Sequence, residues 1–114
     1  MAFERFIKSG RSYAPKVSIW TRGQIGFNRG AVNKMSMKDY KFAVLFYDRD
    51  NKRIGIRFTN NPNEEGATKI TFGSTGAFVS ARAFLDYYEI PREETRRYNI
   101  SYDEKNDLWV FDLE

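Results

Sequence analysis

The segment Tyr40–Asn60, YKFAVLFYDRDNKRIGIRFTN, limits most sharply what this chain can fold into. Phe42–Tyr47 is apolar at every position, β-branched or aromatic at most of them, and too short for a buried helix. Such a run reads as a central strand covered on both faces. DRDNK then supplies the Asp and Asn chemistry of a tight turn. The returning RIGIRF alternates, with Ile54, Ile56 and Phe58 on one face and Arg53, Gly55 and Arg57 on the other. A lone hairpin of this kind is barely stable in water, so it requires further strands to cover it.

The rest of the chain provides them. KVSIWT sets Val17 and Ile19 against Ser18 and Trp20, and a turn at Arg22-Gly23 leads into QIGFN. TKITF, the turn GSTG and AFV form another hairpin. RRYNISY, DEKND and LWVFDL form a closing one. With 10 Phe and 7 Tyr among 114 residues, the composition favours strands over helix bundles. One helix interrupts them. After Ser80 as N-cap, Ala81, Phe84, Leu85 and Tyr88 fall at i, i+3, i+4 and i+7, which predicts a well-formed helix over about residues 80–89 with Phe84 and Leu85 buried. It ends before Pro91. Short helical turns are expected near 29–35 and 91–95, and an irregular N-terminal arm over 1–15. Without repeats or linkers, residues 1–114 read as a single α+β domain, mainly antiparallel sheet with one packed helix.

Catalytic chemistry has little to work with. The chain has no His and no Cys, which removes the commonest general base and the usual soft metal ligands. DRDN opens like a calcium loop, but Lys52 and Arg53 occupy its fifth and sixth positions, and the sixth requires glycine. GSTG lacks the Lys-Ser/Thr of a phosphate-binding loop and follows a strand, unlike the helix-joining loop of a KH domain. The carboxylates of NPNEEG and PREET fall in surface segments. No catalytic residue, metal site or cofactor is expected, so the chain reads as non-enzymatic. It has neither a signal-peptide core nor a membrane-spanning run, which predicts a cytoplasmic protein without a membrane partner.

Charge is the more informative feature. Residues 1–58 hold 13 Lys/Arg against 4 Asp/Glu, and residues 59–114 hold 6 against 11, so local charges of +9 and −5 underlie the net +4. An excess of this kind within structured segments points to a polyanionic partner. Arg53 and Arg57 project from one strand face, and Trp20 opposes Val17 and Ile19. That combination suits phosphate contact and base stacking. The competing reading is an assembly module in which basic and acidic halves pair between subunits.

The stretch VSIWTRGQIGFNRGAVNKMSMKDYKFAVLFYDRDNKRIGIRF, residues 17–58, resembles the swapped-hairpin DNA-binding domain of AbrB and MazE regulators and antitoxins. The likeness lies in the order of parts: strand, RGQI turn, strand, short helical segment, MSMKDYK step, and two strands across DRDNK. The resemblance implies an intertwined homodimer placing basic residues on DNA, and so a DNA-binding regulator with DNA preferred over RNA. Carried over by position, Arg22 lies in the first turn, Gln24 opens the second strand and Arg29 starts the helical segment. The candidate set is therefore Arg22, Arg29, Lys34, Arg53 and Arg57 for phosphates, Gln24 and Asn28 for base edges, and Trp20 for stacking.

Overall fold

A computed structural model describes residues 2–3 and 14–114, so most of the expected N-terminal arm lies outside the described residues. The described residues form nine strands: β1 Lys16–Ile19, β2 Gln24–Asn28, β3 Phe42–Asp48, β4 Arg53–Thr59, β5 Thr68–Phe72, β6 Gly76–Ser80, β7 Arg96–Asn99, β8 Ser101–Asp103 and β9 Leu108–Asp112. Two short helices accompany them, α1 Arg29–Lys34 and α2 Arg82–Tyr87, with a 3-10 turn at Met37–Asp39. All pairings are antiparallel, in the order β7-β1-β2-β6-β5-β3-β4-β9-β8.

That order forces the sheet to curl. β7 and β8 stand at its opposite ends, yet Ile100 alone separates them along the chain. In a flat sheet of this order their axes would lie roughly 38 Å apart, at ~4.8 Å per strand. One intervening residue spans no more than ~7 Å. The ends must therefore meet, and Tyr98 of β7 packs against Phe111 of β9 at 5.3 Å between ring centroids. The result is a nearly closed, barrel-like sheet. RRYNISY, read above as one strand, is two strands broken at the buried Ile100, where the barrel closes.

Alternation then sorts the side chains. Val17, Ile19, Ile25, Phe27, Ile54, Ile56, Ile70, Val79 and Phe111 point inward and are almost wholly buried. Ala31 and Val32 of α1, the C-cap Met35 and Met37 beyond it join the same core. Helix α1 has a specific start. Asn28 Oδ1 accepts from Ala31 N at 2.8 Å and from Lys16 N at 3.0 Å, while Asn28 Nδ2 donates to the Ala14 carbonyl at 2.8 Å. One side chain thus caps the helix and ties β1 to β2. Replacing Asn28 with Ala should lower stability by about 1–2 kcal/mol, read by chemical denaturation.

Helix α2 is shorter than its periodicity predicts. Ser80 cannot act as N-cap because it ends β6, paired with Gln24 of β2. Ala81 takes the cap position without a side-chain bond. At the far end Glu89 turns to φ 55°, which halts the helix. Leu85 is fully buried, whereas Phe84 is half-buried and packs edge-on to Tyr47 and Tyr88. Residues 91–95 form a bend and no helix. There Arg92 donates to the Thr21 carbonyl at 2.5 Å and pairs with Asp86 at 3.1 Å.

The two turns opened by Asp48 and Asp103 share one design. Asp48 Oδ1 accepts from Asp50 N and Asn51 N, and its Oδ2 accepts from Asn51 Nδ2. Asp103 does the same with Lys105 N, Asn106 N and Asn106 Nδ2. Lys52 at φ 53° and Asp107 at φ 54° close them. Bonds from Asn51 and Arg53 hold the Asp48 carboxyl at about 2, below its ordinary 3.8, and Asn106 lowers Asp103 in the same direction. A depressed carboxylate pKa stabilises the folded state above the ordinary value, and this contribution fades as pH falls through the folded one. Acid titration of the parent between about pH 4 and 2 should therefore loosen the Asp48 turn, whereas Asp48→Asn has no carboxylate there to protonate and should show no such step. Amide exchange at Asp50 and Asn51 would show that variant already fast at neutral pH.

Candidate nucleic-acid interface

With Val17, Ile19, Ile25, Phe27, Ala77 and Val79 turned inward, the intervening residues of β1, β2 and β6 form the outer face. The registers place Arg97, Ser18, Gly26, Phe78 and Thr71 in one row across β7, β1, β2, β6 and β5. Lys16 and Asn99 lie in the row on one side. Gln24 and Ser80 lie in the row on the other, with Trp20 following Ile19 at the end of β1. Lys69 is also outward on β5, two residues from Thr71.

Gly26 explains how the indole is seated. A Cβ there would sit 2.4 Å from the Trp20 ring, so only glycine lets the indole lie against the strand. Trp20 and Phe78 then meet at 6.0 Å between centroids, tilted by 50°. The Arg22 guanidinium is 6.0 Å from the Trp20 centroid, at the limit of a cation–π contact. Beside the aromatic pair runs a groove of about 510 Å³ bordered by Asn28, Arg97 and the Gly73–Gly76 loop. Gly73 N donates to the Gly76 carbonyl at 2.8 Å, and Arg29 Nη2 donates to the Ser74 carbonyl at 2.8 Å, so both fix that wall.

The electrostatics divide by face. The sequences of β1, β2, β5, β6 and β7 contain Lys16, Lys69, Arg96 and Arg97 and no Asp or Glu. The other four strands carry Asp48, Asp103 and Asp112 alongside Arg53 and Arg57. Those two arginines are already engaged. Arg53 pairs with Asp48 at 3.1 Å, and Arg57 pairs with Glu64 at 3.3 Å while covering the Phe46 ring at 5.2 Å.

The residues singled out in the sequence therefore separate. Trp20, Arg22 and Gln24 share the outer face of the half whose strands carry no acid, and Asn28 and Arg29 border it; Glu94, just before β7, pairs with Arg96 at 3.0 Å. Asn28 spends its side chain on the cap and on Ala14, so it has little left to read a base edge. Gln24 is half-buried, and its Oε1 is shielded from solvent with no hydrogen-bond partner among the described residues. Arg53 and Arg57 stand on β4, separated from β2 in the sheet order by β6, β5 and β3. Lys34 lies with Arg57, Tyr40 and Trp109 along a different cleft of about 340 Å³. Arg97, Phe78 and Lys16 escape the sequence reading. Alternation turns Phe78 outward between Ala77 and Val79, but only the β2–β6 register sets it beside Gly26.

Among the described residues, no group of three or more Asp, Glu, His or Cys is placed to hold a metal ion. No helix among them is long and apolar enough to cross a membrane. Comparison with protein-family models, with curated proteins and with solved structures finds no match to this chain.

Proposed function

We propose that the protein is a small, non-enzymatic nucleic-acid-binding protein whose binding face is the outer surface of β7, β1, β2, β6 and β5. The observation that carries this reading is the absence of any carboxylate in those five strands, beside basic side chains and an outward aromatic pair. Bound phosphates there would meet Arg22, Arg97, Lys16 and Lys69 without a competing acid on the strands, and the released counterions would drive association. The resemblance over residues 17–58 adds a preference for DNA, a regulatory role and a homodimer to this reading.

The assembly-module alternative has less support. Several acids of residues 59–114 that would have to reach a second copy are paired within the chain: Glu64 with Arg57, Asp86 with Arg92, Glu94 with Arg96 and Glu114 with Lys52. The test is direct binding at about 50 mM salt and micromolar protein, with duplex DNA, single-stranded DNA and RNA offered separately. Saturable binding to at least one is expected, and failure of all three removes the proposal. Sedimentation separates the two kinds of self-association. A strand-swapped dimer persists as the screening length drops from ~10 Å at 0.1 M salt to ~3 Å at 1 M, whereas a charge-paired one dissociates.

A further inference from the structure

We infer that the Trp20–Phe78 groove is a base-stacking subsite, and that the nucleic acid this face takes is single-stranded. The inference rests on the proposed function and narrows it. In a duplex the base faces are stacked on one another and only edges and phosphates are offered. Aromatic rings contribute chiefly when bases are unpaired. This face presents rings rather than base-edge readers: Asn28 is committed to the helix cap, and the Gln24 acceptor is shielded. No side chain from β2 intervenes beneath the indole, because residue 26 has none.

Gly26 is the second observation. A glycine in the middle of a strand sacrifices sheet propensity and packing. Its neighbours show what it admits here, since the closest atoms to an added Cβ all belong to the Trp20 ring. The groove beside that ring, about 510 Å³, falls within the range of small-ligand sites. Its rim carries Arg97, and Arg22 stands by the indole, so a base in the groove would have cations near the phosphates flanking it. Aromatic platforms flanked by cations bind single strands with little sequence preference, because every base has a π-face.

The experiment uses the full chain carrying Trp109→Phe, so that fluorescence reports Trp20 alone. It is titrated with a dT oligomer, an rU oligomer, a length-matched duplex and an abasic phosphodiester of the same length. The expected result is quenching and tighter binding with dT or rU than with the duplex or the abasic strand. Trp20→Ala and Phe78→Ala, read by the anisotropy of an end-labelled oligomer because the first removes the last indole, should each weaken single-strand binding by about 10- to 100-fold while the salt dependence stays as it was. Trp20→Phe keeps a ring and should hold affinity within a few-fold, which guards against misreading a folding defect in Trp20→Ala. Equal affinity for abasic and base-bearing strands, or tighter binding to the duplex, overturns the inference and leaves the broader reading standing. Failure to bind any of the four overturns both.

Discussion

Replacing Gly76 with alanine should destabilise the protein by about 3 kcal/mol or more, the upper range of overpacking in a rigid site. The added Cβ would lie 2.0 Å from the carbonyl oxygen of Phe27 and 3.3 Å from the Cα of Asn28. Both are backbone atoms, so no rotamer change can relieve the clash. Gly76 is the register partner of Asn28, and moving β6 away would disturb the residue that caps α1 and bonds Lys16 and Ala14. The damage should therefore spread from one ladder position to the cap, the β1–β2 pair and the Gly73–Gly76 wall of the groove. Gly73 is the internal control. A Cβ there meets only the Gly76 carbonyl at 3.9 Å, so Gly73→Ala should stay within about 0.5 kcal/mol of the parent. Urea denaturation of the two variants side by side reads the difference. Similar midpoints would mean that β2 and β6 do not approach as closely as described.

The second large effect concerns binding. Changing Lys16, Arg22, Lys69 and Arg97 together to glutamine should reduce affinity for a single strand by roughly two orders of magnitude at low salt. It should also remove most of the salt dependence, because each phosphate no longer neutralised takes away about 0.7 of slope. Stability should change little. Arg22 and Arg97 are exposed, and none of the four forms a salt bridge among the described residues. The opposing pair Arg53→Gln and Arg57→Gln should leave binding unchanged, because Asp48 and Glu64 already neutralise those guanidinium groups. Removing Arg53 also withdraws a hydrogen bond from Asp48, so the cost there should appear in stability rather than affinity.

The strands were legible wherever alternation and a turn occurred together. The hairpins at Val17–Asn28, Phe42–Thr59 and Thr68–Ser80 could be read because each carries its periodicity and its turn residues within about a dozen residues of one another. The barrel was not legible, because closure depends on Ile100. Its apolar side chain continues the alternation of RRYNISY and conceals a change from one end of the sheet to the other. Helix α2 was over-extended because Ser80 suits a cap in isolation, whereas the β2–β6 ladder claims its backbone. Charge counted along the chain also misplaced Arg53 and Arg57 in the basic surface. The loop after β4 brings Glu64 back over Arg57, and Asp48 meets Arg53 across a turn, so proximity in space cancels what sequence counting adds. That Trp20 and Arg22 are neighbours is legible because they lie close together in the sequence. That Phe78 and Arg97 join them is not legible, because only strand pairing brings them to the same face.

On the proposed function, one half of the barrel, free of carboxylates in its strands, holds nucleic acid through its basic side chains and the phosphates they neutralise. The most direct measurement is the affinity of the parent, of the Lys16/Arg22/Lys69/Arg97 variant and of the Arg53/Arg57 variant for one single-stranded oligomer between about 50 and 200 mM salt. The parent and the Arg53/Arg57 variant should share a linear fall of log affinity with log salt, at a slope of about −3 for four neutralised phosphates, and the four-site variant should be nearly flat. A parent slope that disappears in the Arg53/Arg57 variant and persists in the four-site variant would contradict the account, because it would place the ligand on the opposite side of the barrel.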